Sequence, residues 1–356
     1  MKLAILTDQH FGCRGDNPVF LNYFRKFYET VCIPYLLDNN ITTVLDLGDT
    51  FDRRKFVNFY TLTEANNMWF EPLYKHGIQL HSLVGNHNTY FKNTNDINSM
   101  DLLTKGYSNI TVYAEPTDLY FDGLNIGFVP WINVENYDRT VEYLNNTTAD
   151  IIMGHFEIAG FEMDKGNVCN SGMDISTFSR FSKVYSGHFH HKSSRGNITY
   201  LGNQYQMTWA DYGDKRGFHV FDTETHEMEF IENPYEIFHK ITYDDGVQDF
   251  DYWNSFDYEK IKDSYIKIII VNKQNLFLFD HVLDNLNNIG VSDISIIEDF
   301  TDTEFENDHD IIDQAQDTVT ILNNYIDGLA INNVEPDRLK RIMRELYIEA
   351  LNVETA

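Results

Sequence analysis

Asp8, His10, Asp49, Asn86, His87, His155, His188 and His190 share one local context. Each stands just past a short apolar run, in the settings Asp-x-His, Gly-Asp, Gly-Asn-His, Gly-His and Gly-His-x-His. Imidazole nitrogen and carboxylate oxygen together suit manganese, iron or zinc better than magnesium or calcium alone, and the lack of Cys among them argues against a structural zinc site. With His87 set aside, seven donors are too many for one catalytic metal that keeps open positions. They divide between two metals with one carboxylate shared. Ions ~3.5–4 Å apart suit phosphoester hydrolysis, because the pair activates a bridging water and holds the phosphate oxygens.

Taken singly, these motifs differ in weight. Asp8-Gln9-His10 or Gly48-Asp49 alone reads as a polar turn closing a buried strand. Gly85-Asn86-His87 is more specific, since Asn-His is a poor continuation of a strongly apolar strand. In Gly187-His188-Phe189-His190, histidines two apart on an extended chain point to the same side, as a chelating pair would. That places His191 on the opposite face, as a surface or supporting residue. His76, His81, His219, His226, His239, His281 and His309 lack such a context and read as structural or solvent-facing.

The elements that must carry the ligands follow from hydrophobic periodicity. Leu3–Thr7, Thr43–Leu47, Gln79–Val84, Ala149–Met153 and Val184–Ser186 read as buried strands ending at the polar residues. Asn17-Pro18 opens a helix running to about Asp38, and a second helix spans Thr61–Tyr74. Strand–helix–strand succession argues for a layered α/β domain whose strands present their carboxyl ends on one edge, where the eight residues converge. A hairpin turns at Asp122-Gly123, and Tyr137–Leu144 is helical. Ile198–Leu201, Gly217–Phe221 and Met228–Ile231 then read as the second half of a two-sheet sandwich. Asn233-Pro234 marks a boundary. Beyond it, Tyr265–Val271, Leu276–Leu286 and Ile294–Ile297 make a small α+β module. The division is 1–235, 236–300 and 301–356. The last part combines an acidic linker, with no Lys or Arg between Lys273 and Arg338, and two helical stripes. Leu339, Ile342, Met343, Leu346 and Tyr347 share one face of the second.

Counting 27 Lys+Arg against 55 Asp+Glu gives a net charge of −28 over 356 residues. Bulk charge therefore cannot capture a polyanion; a local basic groove, a divalent metal or a partner's surface must do so. Cys13, Cys32 and Cys169 form no paired framework, which suits a reducing cytoplasm. No segment reads as a signal peptide or membrane span.

The ordered set from Asp8 to His190 resembles the calcineurin-like metallophosphoesterase superfamily. Gly48-Asp-Thr-Phe-Asp52-Arg-Arg, His155-Phe-Glu-Ile-Ala-Gly160-Phe, Tyr200-Leu-Gly-Asn203 and Arg216-Gly-Phe218 make it similar, within that superfamily, to the SbcD-type DNA double-strand-break repair nucleases, in particular the recombination endonuclease subunits of T-even-like phages. The resemblance implies a two-sheet sandwich flanked by helices, with a small α+β capping module that helps hold DNA and a helical C-terminal tail. It implies two Mn²⁺ per chain, with Mg²⁺ as a less active substitute. One ion is held by Asp8, His10, Asp49 and His190, the other by Asp49, Asn86, His155 and His188. His87 faces the scissile phosphate, stabilising the transition state or protonating the leaving oxygen. DNA and an SMC-like (SbcC-type) ATPase docked on the tail are the implied partners, a homodimer is compatible, and the compartment is cytoplasmic, that of the host if phage-encoded.

Two positions depart from the family pattern. Asn88 replaces the acidic residue that usually follows Gly-Asn-His, so it can orient His87 without favouring its protonated form. Asn203 stands where Ser is frequent. Arg53, Arg54 and Lys55 follow Asp49 closely enough to grip DNA phosphates at the site mouth, although exposed basic residues are as often mere surface. The competing reading is a phosphoesterase for small phosphoesters or phosphoproteins. It lacks the Asp-Arg-Gly of phosphoprotein phosphatases and leaves the C-terminal parts unexplained. A non-catalytic scaffold would have lost ligands, and none is missing.

Overall fold

A computed structural model describes residues 1–164 and 167–298. The tail residues Leu339, Ile342, Met343, Leu346 and Tyr347, His309 and the acidic linker past Glu298 lie outside the described residues. Met1–Met207 and Asp211–Glu298 form one compact unit.

Seventeen strands follow one another along the described chain: β1 Lys2–Leu6, β2 Thr43–Asp46, β3 Gln79–Leu83, β4 Ile110–Tyr113, β5 Thr117–Phe121, β6 Leu124–Val129, β7 Ile151–His155, β8 Glu162–Asp164, β9 Asn167–Val168, β10 Lys183–Gly187, β11 Ser193–Arg195, β12 Ile198–Tyr200, β13 Gly217–Asp222, β14 Met228–Glu232, β15 Phe238–Asp244, β16 Tyr265–Asn272 and β17 Asp293–Ile297. Two six-stranded sheets, ordered β14-β13-β1-β2-β3-β4 and β11-β12-β10-β7-β6-β5, form the sandwich. β1 to β4 run parallel, as do β6, β7, β10 and β12. Between the sheets lie Leu3, Ile5, Leu45, Leu47 and Leu83 of one and Ile126, Phe128, Ile151, Met153 and Tyr185 of the other. Ile152, Val184 and Ile198, from the opposite faces of their strands, are buried beneath Phe156, Phe178 and Phe189. Burial on both faces is why these strands read as unbroken apolar runs.

β13 and β14 correct the sequence expectation. They do not continue the second sheet; β13 pairs antiparallel with β1, from Lys2 opposite Asp222 to Ile5 opposite His219, and β14 lies outside it. A period-2 pattern says that a strand has a buried face, and says nothing of which sheet it joins. The two long helices occur where expected, yet each is widened in the middle, over Tyr28–Cys32 and Asn66–Phe70. Pro34 and Pro72 stand just beyond. Proline has no N–H to give and its ring crowds the carbonyl four residues back, so a π-turn relieves the clash without breaking the helix.

The small module is a parallel sheet, β15-β16-β17. Helices Phe250–Ser255 and Leu276–Ile289 contribute Trp253, Phe279, Val282 and Leu286 to a core with Ile241, Tyr243, Ile268 and Ile270. β15 was absent from the sequence reading, because Phe-His-Lys-Ile-Thr-Tyr-Asp mixes charge with apolar residues. The segment at Asn233-Pro234 is tied down: the Asn233 amide donates to the Gln204 carbonyl (3.0 Å), and Gln206 Oε1 accepts from Ile237 N and Phe238 N. Tyr265 receives a hydrogen bond from Asn17 at 2.8 Å and packs on Phe20.

Candidate metal centre

The parallel strands deliver their polar ends to one rim. Asp8 and His10 follow β1, Asp49 follows β2, and Asn86 and His87 follow β3; His155 ends β7, and His188 and His190 follow β10. Cross-strand bonds stitch the loops, from Asp8 N to Gly48 O and from His10 N to Asp49 O, both 2.9 Å. Asp8, His10, Asp49 and His188 have φ of 51°, 45°, 57° and 87°. For residues other than glycine such left-handed conformations cost about 1–3 kcal/mol, and they cluster where a function needs them. At Gly187 a Cβ would lie 1.9 Å from Thr7 Oγ1, and at Gly85 2.2 Å from Asp49 Oδ1. Only glycine lets the loops come so close, between sheets at Gly187 and between neighbouring strands of one sheet at Gly85.

All seven expected donors meet, in two clusters. In one, His10 Nε2 and His190 Nε2 are 3.1 Å apart and lie 3.8 and 3.9 Å from Asp8 Oδ1. In the other, Asn86 Oδ1 sits 2.9 Å from His155 Nε2 and 3.0 Å from His188 Nδ1. Asp49 Oδ2 lies between them, 3.3 Å from His155 Nε2 and 4.0 Å from His10 Nε2. Burial opposes charge on His155, yet the Asp49 carboxylate raises its pKa to about 9. Burial likewise opposes charge on His10, and is outweighed by Asp52, Asp49 and Asp8, which raise its pKa. His190 goes the other way, pushed well below the ordinary range by burial and by the charges of His10 and Arg216. Asp49 is held well below the usual carboxylate range against burial, chiefly by His155 and His87. Imidazolium thus supplies the positive charge that these carboxylates need. Buried and half-buried carboxylate, imidazole and amide donors converging with that need fit divalent cations at both clusters.

The local geometry at His188 differs from the expectation of an extended chelating pair. Its positive φ ends the strand, so the two rings part: His188 turns to Asn86 and, at 3.8 Å, to Glu157, while His190 turns to His10. His191 is no surface residue; it is buried and its Nδ1 lies 2.5 Å from Asp214 Oδ2.

His87 Nδ1 donates to the backbone carbonyl of Asp52 at 2.5 Å, which leaves Nε2 for proton exchange. The expectation that Asn88 orients His87 is corrected. Asn88 is wholly buried, its Oδ1 accepts from Asp49 N and Gly85 N, both at 2.9 Å, and its Nδ2 donates to Ser99 Oγ at 3.3 Å. It fastens the backbone under Asp49. Asn203 accepts from Arg216, which also donates to the His190 carbonyl. Arg53 pairs with Asp16 (3.0 Å) and lies over Phe56, and Arg54 donates to Thr89 through Nε and NH2. Lys55 is exposed.

Four residues escaped the sequence reading as parts of the site. Asp52 Oδ1 lies 3.2 Å from His10 Nδ1, and His10, Asp52 and His87 form a third convergent group. Trp131 follows β6 and sets its ring 5.1 Å from that of His188. Glu157 is held down to about 2 by its bond with His188, and buried Arg216 spans Asp211, Asn203 and His190. The available signal was position: Asp52, Trp131 and Glu157 each lie within a few residues of a strand end.

The calcineurin-like phosphoesterase profile matches residues 1–192. Exonuclease subunit 1 of Enterobacteria phage T4 is 30% identical over 352 residues, covering 98% of this chain and 99% of that protein. Among solved structures, an archaeal phosphodiesterase (12% identity, TM-score 0.33) matches 65% of this chain and all of its own. A dimetal phosphatase from Danio rerio (9%, TM-score 0.38) matches 66% of this chain and 97% of its own. With its profile spanning more than half the sequence and a relative aligned end to end, the chain belongs to the calcineurin-like phosphoesterase family.

Proposed function

We propose that the protein is a metal-dependent DNA nuclease, the catalytic subunit of a complex with an SMC-like ATPase that processes DNA ends. The observation that carries the chemistry is Asp49 Oδ2 between two clusters of buried and half-buried donors. Asp8, His10, Asp49 and His190 would hold one ion, and Asp49, Asn86, His155 and His188 the other. Bound manganese would supply charge for the phosphate oxygens and an acidified water as nucleophile. His87, fixed by the Asp52 carbonyl, delivers a proton from Nε2 to the leaving sugar oxygen. The end-to-end likeness to a phage exonuclease subunit supports DNA as substrate and a partner subunit.

In this reading the module at 236–300 and Arg53, Arg54 and Lys55 hold DNA, and Leu339, Ile342, Met343, Leu346 and Tyr347 dock on the ATPase. Arg54 steadies the Thr89 loop first and meets phosphate second. Phe56, Phe59, Tyr60, Tyr90 and Phe91 are all more than 40% exposed on the segments after β2 and β3. Exposed rings of this kind suit a homodimer contact.

The test is digestion of linear duplex DNA with Mn²⁺ or Mg²⁺, with and without the ATPase, by wild-type protein and by Asp8→Ala and His87→Ser. The expected result is metal-dependent digestion, greater with Mn²⁺, falling at least about 100-fold in both variants. Undiminished digestion by either sinks the mechanism.

A further inference from the structure

Two cavities on the open edge of the sandwich share Lys192, Leu201 and Phe230 and so form one groove. The nearer, of ≈ 310 Å³, begins at His190 of the candidate metal centre and passes Asn203 and Arg216. The farther, of ≈ 570 Å³, runs down between β10 and β12 on one side and β13 and β14 on the other, to Lys183. Each lies in the range of sites that enclose a small ligand, roughly 300–1,000 Å³, and neither could admit a duplex. Half-buried Met228 and Phe230 give the groove its apolar surface, with Tyr185 and Leu201 buried behind them, and Asp214 and Glu227 also line it. Lys183 and Lys192 stand exposed at the walls, and neither forms an ion pair among the described residues. The Lys192 ammonium lies 3.8 Å from the centre of the Phe230 ring. His219, buried beside it, is pushed down to about 3 by burial and then by the Lys192 charge, so it adds no charge to that of the lysines and of Arg216.

In a chain of net charge −28, two unpaired lysines along a groove that starts at the metal centre are an uncommon local concentration of cation. Apolar or aromatic surface interleaved with lysine is the chemistry that accepts stacked bases and phosphates of a single strand, without regard to sequence. We propose that this groove is a single-strand track, receiving the strand that passes through or leaves the metal centre, with phosphates at Lys192 and Lys183 and bases against Met228 and Phe230. The proposal rests on the nuclease reading.

The test compares the metal-loaded wild-type protein with K183E/K192E and with K75E/K105E, which makes the same charge change at exposed lysines away from the groove and from the parts assigned to DNA. Fluorescence anisotropy reads binding of a hydrolysis-resistant phosphorothioate oligothymidine over a salt series, and bis(p-nitrophenyl) phosphate reads the metal centre. The groove variant should bind at least about tenfold more weakly, a larger loss than on the small diester. Its log–log salt dependence should be shallower by about 1.4, the release expected for two phosphates on a single strand. The control variant should stay within about twofold of wild type. Equal affinity and salt slope in K183E/K192E, or an equal loss in the control, overturns the track while leaving the nuclease reading intact. Wild-type protein that cleaves the small diester yet neither binds the oligonucleotide nor digests DNA overturns both.

Discussion

Asn88 touches no reacting group, yet two buried amides depend on it, those of Asp49 and Gly85. Asn88→Ala would leave both unpaired next to a candidate bridging ligand, at a cost of about 1–3 kcal/mol for each. The expected outcome is a loss of about 2–5 kcal/mol in urea unfolding of the metal-free protein, together with weaker metal binding by calorimetry; stability equal to wild type would show that water replaces the amide. At this scale the sequence was informative about identity and less so about contact. The seven candidate donors were legible because each type stood near a strand end, four of them, Asp49, Asn86, His155 and His188, directly after a glycine. Asp52 was not, because Asp-Arg-Arg after a strand reads as a charged loop, and only the fold sets its carboxylate against His10 and its carbonyl against His87.

The elements matter through how closely their ends approach. β1 and β10 belong to different sheets, and Gly187 is the point at which one passes Thr7 of the other. In Gly187→Ala the new methyl must displace Thr7 Oγ1, which itself donates to Asp8 Oδ2 at 2.8 Å. Overpacking of this kind costs about 1–3 kcal/mol. A lowered urea midpoint with a larger proportional loss in metal affinity is expected; unchanged metal affinity would detach this contact from the site. The strands could be read from apolar runs, and the helices from their stripes and the Asn17-Pro18 start. Sheet membership could not, since β13 pairs with β1 across more than 200 residues and its own pattern names no partner. The π-turns were also hidden, because a proline inside a stripe reads equally as a kink, a stop or a widened turn.

For the molecule as a whole, His219 couples the fold to pH. An unfolded histidine titrates near 6.5 and this one near 3, so between those values the unfolded chain takes up a proton that the folded chain refuses. Stability is therefore complete above pH 6.5 and falls with acidification, by about 2 kcal/mol at pH 5. Urea unfolding at pH 7.5 and 5.0 should lose about that much less in His219→Phe than in wild type; an identical loss would mean that carboxylates alone carry the acid sensitivity. At the surface, Phe59 is 88% exposed. If the patch around it joins two copies, Phe59→Glu should sediment as a monomer at concentrations where wild type is dimeric, and a wild-type monomer would end that reading.

The left-handed turns at Asp8, His10 and Asp49 are fastened by neighbouring main chain, through Gly48 O, Asp49 O and the Asn88 side chain. That fastening is made by the chain's own hydrogen bonds, which offset the conformational cost of the turns. A cation that meets a finished cage loses little affinity to rearrangement, and its whole binding free energy adds to the stability of the fold as RT ln(1 + [M]/Kd). Chelation is then expected to remove that increment of stability without unfolding the protein.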